Sequence, residues 1–173
     1  MRTMKLTPRW RKIALITHVV SSVGWLGADA VLLVLGIAGL TGAAGGPDVV
    51  YPVAGLIGTV LITPLAVAAL VTGIVCGLGT KWGLIRYWWV AVKLVVTAAM
   101  AGLVVFVLSP GLRTAADLGA ALPREEQLNL VVAPSVAGSL LLFTTVLSVV
   151  KPWDRTARGR RALSARRQAP SPA

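Results

Sequence analysis

Apolar residues run along this chain in four long blocks, broken by short polar or glycine-rich stretches. The first block, IALITHVVSSVGWLGADAVLLVLGIAGL from Ile13 to Leu40, is long enough to cross ~30 Å of hydrocarbon as a helix rising about 1.5 Å per residue. Three more follow at about 51–79, 88–108 and 127–150. None shows the strict alternation of a half-buried strand. The pattern therefore predicts an all-α chain, a four-helix transmembrane bundle over 13–150. It is flanked by a basic N-terminal segment, 1–12, and a basic tail, 151–173, with too little apolar content to fold alone.

Polar residues inside the blocks are few enough to name. In the first, His18, Trp25 and Asp29 fall within roughly 40° of one another at about 100° per residue, with Ser21 and Ser22 beside them. This makes a polar stripe expected to face the bundle interior. In the second, Pro64 predicts a kink, since it removes one backbone donor and crowds the carbonyl four residues back. Thr59, Thr63 and Thr72 are placed to satisfy freed backbone groups, and Gly73 and Gly77 suggest close approach of another helix. The third block holds Lys93, five residues past its start at Trp88. The segment SPGLRTAADLGAALPREEQ after it reads as a loop with at most one short helical turn, and Pro123, Glu125 and Glu126 open the fourth block.

Composition agrees with a bilayer: 56% hydrophobic residues, 13% charged and a mean hydropathy of +0.80 leave too little polar surface for a soluble domain of 173 residues. The net charge of +11 first suggests nucleic acid, but it is concentrated at the ends. Arg2, Lys5, Arg9, Arg11 and Lys12 precede the first block, Lys81 and Arg86 lie between the second and third, and seven basic residues follow the fourth. The two remaining loops are slightly acidic. By the positive-inside rule, the N and C termini and the middle loop are expected in the cytoplasm of a bacterial cell, with the protein multi-pass in its cytoplasmic membrane. The Trp82, Tyr87, Trp88, Trp89 cluster then reads as an interfacial belt rather than a base-stacking platform, so no nucleic-acid partner is expected. The basic ends predict attraction to anionic lipid headgroups. The first block is about twice the length of a signal-peptide core, which predicts that it is retained. One cysteine, Cys76, excludes an intrachain disulfide and a clustered thiolate metal site, and no metal site is expected.

Each stripe residue has a packing reading beside a functional one. His18 can pack by hydrogen bonding to Thr144 or Ser148 on the fourth helix. Lys93 can snorkel, or share a level with His18 in one site. Asp29 lies ~16 Å from His18 along the axis, too far for Lys93 to reach. Its expected partners are the Trp25 indole, a hydroxyl from Thr59 or Thr63, or water. An intramembrane acid is costly enough to be a functional candidate in its own right.

The pattern His18-x6-Trp25-x-Gly27, followed by Trp88-Trp89-x3-Lys93-Leu94, resembles small helical membrane proteins related to the copper-resistance D-type domain. That group includes the DUF2269-like proteins and the HemJ-type protoporphyrinogen oxidases. The stretch GLGTKWGLIRYWWVAVKL is most similar to the DUF2269-like members. The resemblance implies haem b as a cofactor, with His18 and Lys93 in the binding roles. A second histidine is lacking, as are the methionine and histidine clusters of a copper pathway, so oxidase activity is not carried over. Three functions remain open. The leading expectation is a non-enzymatic membrane bundle organised by the His18, Trp25 and Asp29 stripe. The others are a haem- or metal-associated redox protein using His18, and a proton- or ion-coupled carrier centred on Asp29, which would require a homo-oligomer.

Overall fold

The computed structural model describes residues 7–79, 84–150 and positions 153, 156, 157 and 160. Its elements are helical throughout: α1 (Pro8–Thr41), α2 (Pro47–Ile57), α3 (Thr63–Leu78), α4 (Trp88–Leu103), α5 (Ser109–Leu118) and α6 (Arg124–Val150). A widened π turn at Gly58–Ile62 joins α2 to α3, and another at Val104–Leu108 joins α4 to α5. The result is four continuous rods, Pro8–Thr41, Pro47–Leu78, Trp88–Ala121 and Arg124–Val150, each long and apolar enough to cross a membrane. Only 22% to 33% of the most apolar stretch of each rod is buried, so most of the apolar surface faces outward. Valines and Phe106 cover that outer surface, as a bilayer requires and water would not permit.

The four rods depart from the sequence pattern at their ends. The first helix begins at Pro8, whose fixed φ suits the first helical position, so Arg9, Arg11 and Lys12 belong to it. The third continues beyond residue 108, where a loop was expected. The cause is the same in the second and third rods. Pro64 and Pro110 each follow a hydroxyl residue, Thr63 or Ser109, directly after a π turn. The wide turn moves the preceding carbonyls away from the proline ring, so the rod continues through it. The Gly58 carbonyl accepts both the Thr63 amide and, at 2.8 Å, the Thr63 hydroxyl. Beyond Pro110, Ser109, Leu112 and Ala115 form a buried face that packs on α2, which holds α5 in the bundle instead of along the surface.

Packing order runs around the bundle: α1 lies between the second and fourth rods, and α4 touches those same two from the opposite corner. At the acidic end the rods meet closely. Gly36 leaves room for the Leu130 carbonyl of α6, and Gly55 sits where a side chain would stand 3.2 Å from the Leu112 carbonyl of α5. Gly39 faces the buried Tyr51 ring, and Gly58 seats Leu112. The loops at this end are stitched together. Asp48 accepts from the Ala120 amide at 2.7 Å, with its carboxylate occupying the space that a side chain at Gly119 would need. Arg124 donates to the Leu40 carbonyl at 3.1 Å, just before Gly42 ends α1 at φ +75°.

The basic end is looser. The first three turns of α4 contribute no fully buried residue, the first being Met100. The tail expected to be disordered is tied down at one described point. Thr156 is buried, donating its hydroxyl to the Ile85 carbonyl at 2.7 Å and its amide to the Arg86 carbonyl at 2.9 Å. Residues 1–6, Lys81, Trp82 and most of the tail lie outside the described residues, and of the aromatic belt Trp88 faces outward while Trp89 turns inward.

Candidate functional site

Near the basic end, α1, α3 and α4 line a half-open cavity of about 710 Å³. Along α1 it reaches from Arg11 to Val19, about 12 Å of helix, and the loop residue Leu84 also lines it. Its walls are mostly leucine, valine and glycine. The polar groups set into them are Arg11, His18, Cys76, Lys93, Thr97 and Ser148. The volume lies within the range of small-molecule and cofactor sites, as does the pattern of an apolar lining with a few polar groups.

His18 is held from one side. Its Nδ1 lies 3.0 Å from the Ala69 carbonyl and 3.3 Å from the Thr72 hydroxyl, both on α3. A carbonyl only accepts, so Nδ1 is the donor, and Thr72, which donates its own proton to the Ala68 carbonyl, accepts as a second partner. In the neutral ring this places the free lone pair on Nε2. Gly73 makes room for the ring, because a Cβ there would stand 3.0 Å from His18 Cε1. The expected partners on the fourth helix, Thr144 and Ser148, are not used by His18: the imidazole turns toward the second rod, where carbonyl and hydroxyl lie at its level. Gly73 and Gly77 also differ from expectation, since they seat side chains, His18 and Leu84, rather than bringing two helix backbones together.

Lys93 lines the same cavity and donates to Ser148 Oγ at 2.6 Å, while Ser148 donates onward to the Thr144 carbonyl at 2.9 Å. His18 and Lys93 thus share a level, as depth counting along their helices suggested. Cys76 stands one helical turn from Gly73 in the same wall. No ion pair is formed by Lys93 or Arg11 among the described residues, and none of the described residues lining the cavity is acidic.

The rest of the stripe goes elsewhere. Trp25 and Asp29 are only 1% and 2% exposed and lie in the core, outside the cavity. The indole Nε1 and Asp29 Oδ1 are both buried without a hydrogen-bond partner among the described residues. They do not bond to each other, and Thr59 and Thr63 do not reach Asp29. Thr63 spends its proton on Gly58, and Asp29 instead faces Gly138 of α6, where a Cβ would stand 3.0 Å from Oδ2. Ser21 is buried but turned back on its own helix, donating to the Thr17 carbonyl at 2.8 Å, and Ser22 is half-buried. Among the described residues no three His, Cys, Asp or Glu side chains gather as a metal cluster.

Sequence reasoning missed Arg11, Cys76, Gly73 and Ser148 as cavity residues. Gly73 and Cys76 are three apart on one helix face, a usable signal, but one that any glycine-rich helix displays. No protein-family model, curated protein or solved structure matches the chain.

Proposed function

We propose that this chain is a non-enzymatic ligand-binding protein of the bacterial cytoplasmic membrane, with both ends in the cytoplasm, and that haem b is the ligand of the His18 cavity. The observation that carries this reading is the one-sided hold on His18. With Nδ1 donating to the Ala69 carbonyl, Nε2 is the nitrogen left to bind a metal, and a backbone carbonyl partner on the other nitrogen is the usual support of a ligating histidine. The cavity's volume and apolar walls suit a planar hydrophobic group, and Gly73 lets the imidazole seat against α3. Bound haem would supply one-electron chemistry. The chain's own residues would hold it: His18 would bind the iron through Nε2, with Cys76 and Lys93 as the other potential donors in the wall. Kinship with the copper-resistance D-type group agrees with this reading and belongs to it as a proposal.

The test is the absorption spectrum of the full chain purified in mild detergent from haem-supplemented cells. A reducible haem spectrum is expected in wild type and lost in His18→Ala. A well-folded wild type without such a spectrum overturns the reading.

The buried, unpartnered carboxyl of Asp29 favours a second reading, a proton-coupled carrier. It requires proton flux into liposomes that Asp29→Asn abolishes while the His18 spectrum is retained. Absence of flux in wild type removes it.

A further inference from the structure

Lys93 carries its charge into apolar surroundings with only a neutral hydroxyl as its partner. Of the six acids in the chain, Asp48, Asp117, Glu125 and Glu126 lie at the far end of the bundle, and Asp29 is packed against Gly138 outside the cavity. Asp154 lies outside the described residues. Arg11 adds a second cation to the cavity where α1 begins. An ammonium withdrawn from water needs a counter-charge, and among the described residues the wall offers none. Lys93 and Arg11 are thus two cations in a largely apolar wall, so the complementary molecule joins an anionic group to an apolar body.

We infer that the cavity binds an acidic amphiphile, its carboxylate or phosphate oxygens received by Lys93, with Arg11 the second cation of the wall, and its apolar body lying between α1, α3 and α4. This rests on the cavity being a ligand site, but not on haem being the ligand. Ser148 positions the ammonium: it accepts from Nζ, is held by the Thr144 carbonyl, and leaves the remaining Lys93 protons for the ligand. Two sources share this chemistry, a membrane lipid or fatty acid and a porphyrin bearing carboxylates.

The full chain in phosphatidylcholine nanodiscs is titrated with radiolabelled oleate, with oleyl alcohol, haem, haem dimethyl ester and phosphatidylglycerol as competitors. Saturable oleate binding is expected that oleyl alcohol does not displace. Lys93→Met is expected to weaken it about tenfold or more, the loss of one charge-assisted hydrogen bond, whereas Lys93→Arg retains it. Arg11→Gln is expected to weaken it less. Melting curves of each variant separate lost binding from lost folding, and Lys93→Arg keeps the test decisive if Lys93→Met does not fold. Displacement by haem but not by its dimethyl ester assigns the acid to a porphyrin, and displacement by phosphatidylglycerol assigns it to a lipid headgroup. The inference is overturned by absent oleate binding, by equal competition from oleyl alcohol or the ester, or by unchanged binding in a folded Lys93→Met. The haem reading fails separately: oleate bound through Lys93 with no haem spectrum sinks that reading alone, and haem bound through His18 as tightly as its ester sinks this one alone.

Discussion

The two ends of the bundle are built from similar residues and packed in opposite ways. At the acidic end, glycines on α1 and α2 let a carbonyl of α6, a carbonyl of α5 and the Tyr51 ring come into the helix surfaces, and the void left among Leu32, Tyr51, Leu112 and Pro134 is about 10 Å³. At the basic end, glycines on α3 accept one imidazole and one leucine, and α4 stands off far enough to leave about 710 Å³. The same small residue closes one end and opens the other. What differs is whether the atom facing it belongs to a neighbouring backbone or to a side chain on a helix held further away. Stability should therefore reside at the acidic end and ligand capacity at the basic end.

Substitutions that fill the glycine sites test that division most strongly. Gly36→Leu drives a side chain into the Leu130 backbone, which cannot move without shifting α6, and should cost ~3 kcal/mol or more, read as a lowered melting temperature in detergent. Leu112→Ala, which empties the buried contact with Gly58, should cost ~2–4 kcal/mol by the same measurement. At the other end Leu15→Ala should cost under ~0.5 kcal/mol, since Leu15 is 54% exposed beside the cavity. Equal losses at Leu112 and Leu15 would erase the contrast. Gly73→Ala should leave melting within ~1 kcal/mol of wild type yet displace the His18 ring, so its effect is expected in the ligand spectrum and not in stability. The smallest loss is expected at Asp29. Replacing an unpartnered buried carboxyl by a compact apolar side chain, Asp29→Val, should be neutral or stabilising by ~1 kcal/mol, and a large loss would mean that Asp29 holds a partner.

Much of this architecture was legible in the residues. Four apolar blocks gave four rods because a chain in hydrocarbon must satisfy its own backbone, and helices do that locally. His18 and Lys93 were placed at one level by counting inward from the same end along two helices that run in the same direction, arithmetic that needs no side-chain contact. The partners were not legible. His18 was expected against the fourth helix and bonds to the second, and of the partners expected for Asp29 neither Trp25 nor a threonine of the second rod bonds to it. A helical wheel places a residue to within a face, whereas a hydrogen bond depends on which neighbour lies across that face. The run through Pro110 was hidden for a related reason: proline reads as a helix end unless the turn before it widens, and that widening is stabilised by the packing of α5 on α2.

The sequence by itself therefore determined the number of rods, their apolar outer surfaces and the position of each polar side chain along its rod, because these depend on length, composition and spacing alone. The tertiary structure decided which polar groups share a space: His18, Lys93, Arg11 and Cys76 around one cavity, and Trp25 with Asp29 sealed in the core. Residues on three different helices come together only when the helices have chosen their neighbours and their distances, and the small residues that set those distances act through atoms far away in the chain.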